Sequence, residues 1–368
     1  MADKKLPLKK GGKSAVKAAF DLTQFKKTNN FDHKVKEKEL TWIPMSEAFT
    51  EATKLGGMAR GYVQLYRGFS NTGKSTAIYE AMAGAQQIGD LPVIIETEGN
   101  WNWEHAINIG VQAEEVVDEE TVEIDYQGDF LLFRAHDLLN MFGKYDYSES
   151  KEKNKMLRTE AVIEDVAALI DLLLLKQANG ELPRNLVFLW DSIGTLNCFK
   201  GTQSKANNNM WNAGAMKQAF NAIASSKITA SRAIDSEYIN TFGAVQKIWL
   251  DSSGMGQPMV KHSGGEFMFY AARLIVHFGG VQSHGTTKLT ATSGGKQFLY
   301  GTEVKVKVEK NHITGIQEEG KICSTPHGYV SPNKLDEYKK EKREWIKEML
   351  STEFDDIQFG SEEVYEIE

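Results

Sequence analysis

Eight residues, Gly68 to Ser75 (GFSNTGKS), carry a complete G-x-x-x-x-G-K-[ST] pattern, the spacing of a phosphate-binding P-loop. Gly68 and Gly73 allow the tight turns that aim successive backbone N–H groups at phosphate oxygens beside a helix N-terminus. Lys74 is placed to reach the β- and γ-phosphates, and the Ser75 hydroxyl to ligate Mg²⁺. Phe69, Ser70, Asn71, Thr72 and Thr76 complete the stretch expected to surround the nucleotide. A chance Gly-rich turn would not need what flanks this one. The apolar run Tyr62, Val63, Leu65, Tyr66 reads as a strand, and TAIYEAMAGAQQIG places Ala, Ile and Met as on a helix packed against a sheet.

A phosphate site of this type needs carboxylates at neighbouring strand ends, and two stretches supply them. Leu91 to Glu98 (LPVIIETE) is a Val/Ile run that closes on acids, as a buried parallel strand does at the C-terminal edge of a sheet. Asn185 to Leu196 (NLVFLWDSIGTL) holds five apolar residues ending in Asp191-Ser192. Alone, that Asp would serve equally well as a helix N-cap. With the P-loop upstream it reads as the Walker B acid, holding Mg²⁺.

The set resembles the RecA-type recombinases, most of all those of bacteriophages, and the matching order covers about Trp42 to His312. The resemblance implies an α/β fold, a RecA-like P-loop ATPase core with a mostly parallel twisted sheet flanked by helices. In Glu96-Thr97-Glu98 the second acid, Glu98, takes the place of the general base. In FGAVQ, Gln246 takes that of the γ-phosphate sensor. Gly264-Gly265 and the aromatic-Tyr-Ala of Phe269 to Ala271 follow a loop, as they do in the family. Lys310 and His312 fall where cations reach a neighbouring subunit's γ-phosphate. Here His312 departs from the usual Lys or Arg, and a neutral imidazole stabilises transition-state charge less well. His105 stands where an aromatic often stacks on adenine.

The same resemblance implies two DNA-lining segments, Asn197 to Ala213 and Lys247 to Ser263. Lys200, Lys205 and Lys261 suit phosphates, Asn207, Asn208 and Asn209 suit hydrogen bonds, and Trp211, Met255 and Met259 suit stacking on bases. The implied activity is ATP hydrolysis, with ATP and Mg²⁺ as cofactors. It would drive filament formation on single-stranded DNA and pairing with duplex DNA, with loading proteins as further partners. A ring helicase on the same fold is the first alternative, although it wants an Arg finger, and no Arg follows Gln246 before Arg273. A non-catalytic DNA-binding filament is the second.

The rest of the chain frames this core. Its 368 residues, 41% hydrophobic and 25% charged, fit an ordinary globular protein with one main domain near 40–330, carrying an acidic, Tyr-rich insertion near 113–157. No apolar run approaches a membrane span, no signal peptide opens the chain, and the expected compartment is the cytoplasm. Cys198 and Cys323 lack paired spacing, so buried reduced thiols are expected. The net charge of -7 is unevenly placed. Residues 1–39 form a basic arm, with an amphipathic helix over 13–27 carrying Val16, Ala19, Phe20 and Thr23 on one face. Residues 331–368 end in a tail whose last stretch, 351–368, holds seven acids and no Lys or Arg. Such termini are commonly just solvated, but they acquire a use beside a polyanion.

Overall fold

A computed structural model of the chain describes residues 21–29, 36–117, 124–145, 147, 158–202, 209–251, 259–280, 285–350 and 358–363. The chain divides into residues 1–37 and 38–368. In the first unit α1 (Leu22–Thr28) starts at an Asp21 N-cap, whose carboxylate accepts from the Thr23 and Gln24 backbone. The helix expected over 13–27 is thus seen from Leu22 onward, and residues 13–20 lie outside the described residues.

The second unit opens with β1 (Trp42–Ile43), α2 (Glu47–Thr53) and β2 (Met58–Ala59), then β3 (Val63–Gly68), α3 (Lys74–Gln87) and β4 (Leu91–Glu96). It continues through α4 (Trp103–Ile109), β5 (Glu114–Val117), β6 (Ile124–Gln127), β7 (Leu131–Arg134), α5 (Ala135–Phe142) and α6 (Ile163–Ala178). Next come β8 (Leu186–Ile193), α7 (Phe199–Thr202), α8 (Asn209–Ala222), β9 (Thr241–Asp251) and β10 (Met259–His262). The final part holds α9 (Phe267–Ala271), β11 (Leu274–Phe278), β12 (Thr286–Ser293), β13 (Lys296–Asn311), β14 (Glu319–Thr325) and β15 (Gly328–Val330). It closes with α10 (Leu335–Glu341), α11 (Arg343–Leu350) and β16 (Gln358–Glu363).

One large mixed sheet organises these elements, in the order β15-β14-β13-β11-β3-β9-β8-β4-β7. From β11 to β7 every pairing is parallel, and from β11 outward through β13, β14 and β15 every pairing is antiparallel. The middle of the parallel half is covered on both faces, which is why β4 and β8 read as apolar runs up to their acids. Leu186, Phe188 and Trp190 of β8 join one core with α6 and α8, while Val187 and Leu189 join the opposite core with α2 and α3. That alternation is the two-residue period of a strand. Helix α3 lies so close to the chain before α2 that a Cβ on Gly84 would sit 1.9 Å from the Pro44 carbonyl oxygen.

Two boundaries differ from the sequence expectation. Residues 131–134 pair in parallel with β4 at the sheet edge, and Leu138 and Phe142 of α5 enter the core. The strand expected over 130–135 within the insertion is β7, and it joins the main sheet; α5 was not expected, because a helix this short leaves too little periodicity to be recognised. At the other end, the backbone of β16 pairs antiparallel with β12, so part of the acidic tail extends the sheet. Tyr338, Ile346 and Leu350 of α10 and α11 build a small separate core against Leu289, Ala291 and Tyr300. Both cysteines are buried free thiols, and no described helix is long and apolar enough to cross a membrane.

Candidate active site

Strands β3, β4, β8 and β9 end side by side, and their C-terminal ends open on a cavity of about 340 Å³. It is lined by residues 70–76, Glu98, Asn100, Asp191, Val245 and Lys247. Helix α3 begins here at Gly73, held at φ +81°, with no side chain capping its first turn. Its first N–H groups therefore point into the cavity without intrahelical partners, and the helix dipole adds positive potential. A Cβ on Gly73 would meet the Ser324 side chain at 2.7 Å, and one on Gly68 would lie 2.1 Å from the Phe278 carbonyl oxygen.

Lys74 is buried and folded back on the loop, donating to the Phe69 carbonyl and, at 3.4 Å, to Thr72 Oγ1. Burial lowers its pKa to about 8, partly offset by the charge of Asp191. A phosphate binds the charged form, so nucleotide affinity should be flat below about pH 8 and fall up to tenfold per pH unit above it. Titrating affinity between pH 7 and about 9.5, with Lys74→Arg as the variant that stays charged, checks this. A wild-type profile as flat as the Arg variant's would show that Lys74 does not meet the ligand.

The two acids of the Glu96-Thr97-Glu98 stretch do different work. Glu96 is buried, and its Oε1 accepts the backbone N–H groups of Glu98, Gly99 and Asn100, closing the turn after β4. Glu98 faces the cavity. It accepts from the Ser192 hydroxyl, from Asn100 Nδ2 at 3.1 Å and from Lys247 Nζ at 2.9 Å. Burial alone would raise its pKa, but Ser192, Lys247 and the Lys74 charge together hold it below the usual carboxylate range.

Asp191 is buried at the end of β8, and its Oδ1 finds no partner among the described residues. Burial pushes this carboxyl up to about 6, with the Ser75 hydroxyl opposing. An orphaned carboxylate oxygen beside a hydroxyl is the donor set expected for Mg²⁺, which keeps most of its ligands as water and phosphate. No described cluster of three or more His, Cys, Asp or Glu competes for a metal. The Asp191–Ser192 peptide is cis.

Several expected residues lie off this cavity. Gln246 is fully buried and donates to the Ser263 carbonyl at 3.0 Å, while its Oε1 finds no partner among the described residues. Lys310 donates to the Phe269 and Tyr270 carbonyls, both at 3.0 Å, and its ammonium lies 5.6 Å from the Phe269 ring centroid. Neither Lys310 nor His312 lines the chain's own cavity. The His105 ring packs 4.8 Å from the Tyr79 ring, and its Nε2 is 3.2 Å from the Thr325 carbonyl oxygen. Phe69 buries its side chain and offers its carbonyl.

Of the expected DNA segments, the first is partly helical. Trp211 is half-buried against the core, with Lys200 Nζ 5.1 Å from its ring centroid. It is therefore not the bare loop Trp expected from the sequence, because α8 turns it inward. Lys205, Asn207, Asn208 and Met255 lie outside the described residues, as does the side chain of Asn209. The second segment is a ribbon rather than a loop, since β9 runs to Asp251 and β10 returns antiparallel. Its Trp249 and Met259 are exposed, at 44% and 61%, and Lys261 stands 3.7 Å from Asp251.

Sequence reasoning missed four groups. The sequence marks Lys247 only as the start of a loop and Ser192 only as part of a motif, although both grip Glu98. The β14–β15 hairpin supports the P-loop from behind: the Tyr329 hydroxyl donates to the Gly73 carbonyl at 2.6 Å, and Ser324 pairs with Thr76. Glu80 holds that hairpin by accepting from the Tyr329 backbone N–H. In comparisons with known proteins, no family model and no curated sequence matches this chain.

Proposed function

We propose that the chain is an ATP-dependent DNA recombinase of RecA type that forms filaments on single-stranded DNA and pairs that strand with a homologous duplex. The observation that carries this reading is the convergence of Lys74, Asp191 and Glu98 on one cavity, from which β9 leads directly into an exposed ribbon bearing Trp249 and Met259. In hydrolysis the P-loop amides and Lys74 hold the phosphates, and Glu98 takes a proton from the in-line water. Asp191 and Ser75 would hold Mg²⁺, which neutralises charge developing on the phosphate oxygens. Exposed Trp and Met beside Lys261 suit stacking on unpaired bases.

The test is ATP turnover with and without single-stranded DNA, together with negative-stain imaging in a slowly hydrolysed ATP analogue. DNA-stimulated turnover and helical filaments are the expected outcome. Turnover indifferent to DNA would remove the recombinase reading. The ring helicase stays as a second reading for a specific reason: Lys247 puts a cation at the cavity in cis, directly after Gln246. Closed rings would select it.

A further inference from the structure

Glu98 is the expected base, yet as placed it is poorly free to act as one. Lys247 Nζ lies 2.9 Å from both of its carboxylate oxygens, and Ser192 and Asn100 donate to it as well. A carboxylate whose lone pairs are committed to an ammonium, a hydroxyl and an amide has little capacity left to accept a proton from water. One of these donors must leave before the base can work. Ser192 is a short, buried side chain on β8 and Asn100 a short one on the turn after β4, so the group able to leave is Lys247.

Its backbone is pinned. Lys247 N donates to Ser263 Oγ at 3.0 Å, and its carbonyl accepts from the Ser263 N–H at 2.9 Å, which locks the base of the ribbon. Its side chain, by contrast, is 40% exposed and lines the same cavity as Ser70 and Lys74. A flexible four-carbon stem on a fixed backbone swings without moving the fold.

Resting on the ATPase reading above, we propose that Lys247 is an exchangeable ligand, paired with Glu98 until a nucleoside triphosphate arrives and then transferred to its terminal phosphate. The transfer does two things at once. It adds a second cation, beside Lys74, to the group about to be cleaved, and it frees the Glu98 carboxylate to accept the proton of the attacking water. A diphosphate lacks the terminal group and leaves the pair intact. The site thereby distinguishes ATP from ADP within one chain, independently of any cation from a neighbouring subunit.

Binding of ATPγS and ADP by the full chain, measured by displacement of a fluorescent ADP analogue with Mg²⁺ present, tests this without relying on turnover. Lys247→Met should weaken ATPγS by about ten- to a hundredfold, the range of a charge-assisted hydrogen bond, and ADP by less than about twofold. Lys247→Arg keeps the charge and should retain the preference for ATPγS. Glu98→Gln, which releases Lys247 in advance, should tighten ATPγS several-fold, and that gain should vanish in the Glu98→Gln/Lys247→Met double variant. Equal loss of both nucleotides in Lys247→Met, or no loss of either, overturns the transfer and leaves Lys247 as a simple counter-charge for Glu98. If the wild type binds neither nucleotide, the ATPase reading fails and the inference falls with it, a result distinct from the selective loss. A thermal melt of each variant separates misfolding from a binding effect.

Discussion

Glu98→Gln is expected to lower ATP turnover by about 10²–10⁴-fold, the usual contribution of a positioned general base, while nucleotide and DNA binding persist. The amide keeps the shape of the carboxylate and can still accept from Ser192 Oγ, so the cavity should not collapse. What it loses is the capacity to take a proton. Lys74→Ala should behave in the opposite way. On the ATPase reading proposed above, removing the buried Lys74 ammonium takes away the charge that would meet the phosphates, so ATP-dependent DNA binding should be lost, and turnover with it. Steady-state turnover and nucleotide affinity measured on both variants decide the assignment. Wild-type turnover in Glu98→Gln would move the base elsewhere, and intact ATP binding in Lys74→Ala would show that the loop does not hold phosphate.

The largest stability effect should come from Arg158→Ala. Arg158 and Asp165 form a two-pronged pair, Nη1 to Oδ2 at 2.7 Å and Nη2 to Oδ1 at 2.8 Å, with side chains 5% and 0% exposed. Asp165 also accepts from the Tyr147 hydroxyl and the Val162 backbone, and the guanidinium lies against the Tyr147 and Phe199 rings. Deleting the cation strands a charge in the core, which costs about 3–5 kcal/mol. At roughly 2–4 °C per kcal/mol, the melting temperature should fall by about 6–20 °C. Circular dichroism melts measure it. An Arg158→Met/Asp165→Leu double variant should recover most of the loss, since an apolar pair of similar volume has no charge to strand. A shift below about 2 °C in Arg158→Ala would show that water reaches Asp165. Because the Phe199 N–H donates to Glu164 next to this pair, the variant should also loosen the start of α7.

The P-loop pattern was legible because its geometry is local. Gly68, Gly73, Lys74 and Ser75 act through the loop and the helix they themselves form, so their spacing along the chain is nearly their spacing in space. The strands leading to Glu98 and Asp191 were legible for a related reason. A strand buried on both faces is apolar at every position, and the acid that ends it stands out. The helix after β3 and the long α6 were readable from helical periodicity.

What the chain order could not reveal depends on neighbours far away in sequence. Glu98 was expected at the site from the resemblance, but the reason Glu96 turns away lies in the turn after β4, where its Oε1 is held by three backbone N–H groups. Trp211 reads as a loose aromatic in a polar loop until α8 folds it onto the core. The role of Lys247 arises across 149 residues, when parallel pairing of β8 with both β4 and β9 brings three strand ends together around Glu98. Support of the P-loop by Tyr329 spans 256 residues in the same way. The sequence by itself determined the strand, turn and helix start of the Gly68–Ser75 loop, because backbone turns and helix ends are built from adjacent residues. Only the tertiary structure decided which charges meet at the cavity beside that loop, because a hydrogen bond or ion pair depends on separation in space, and strand order in a sheet is not written in any one strand.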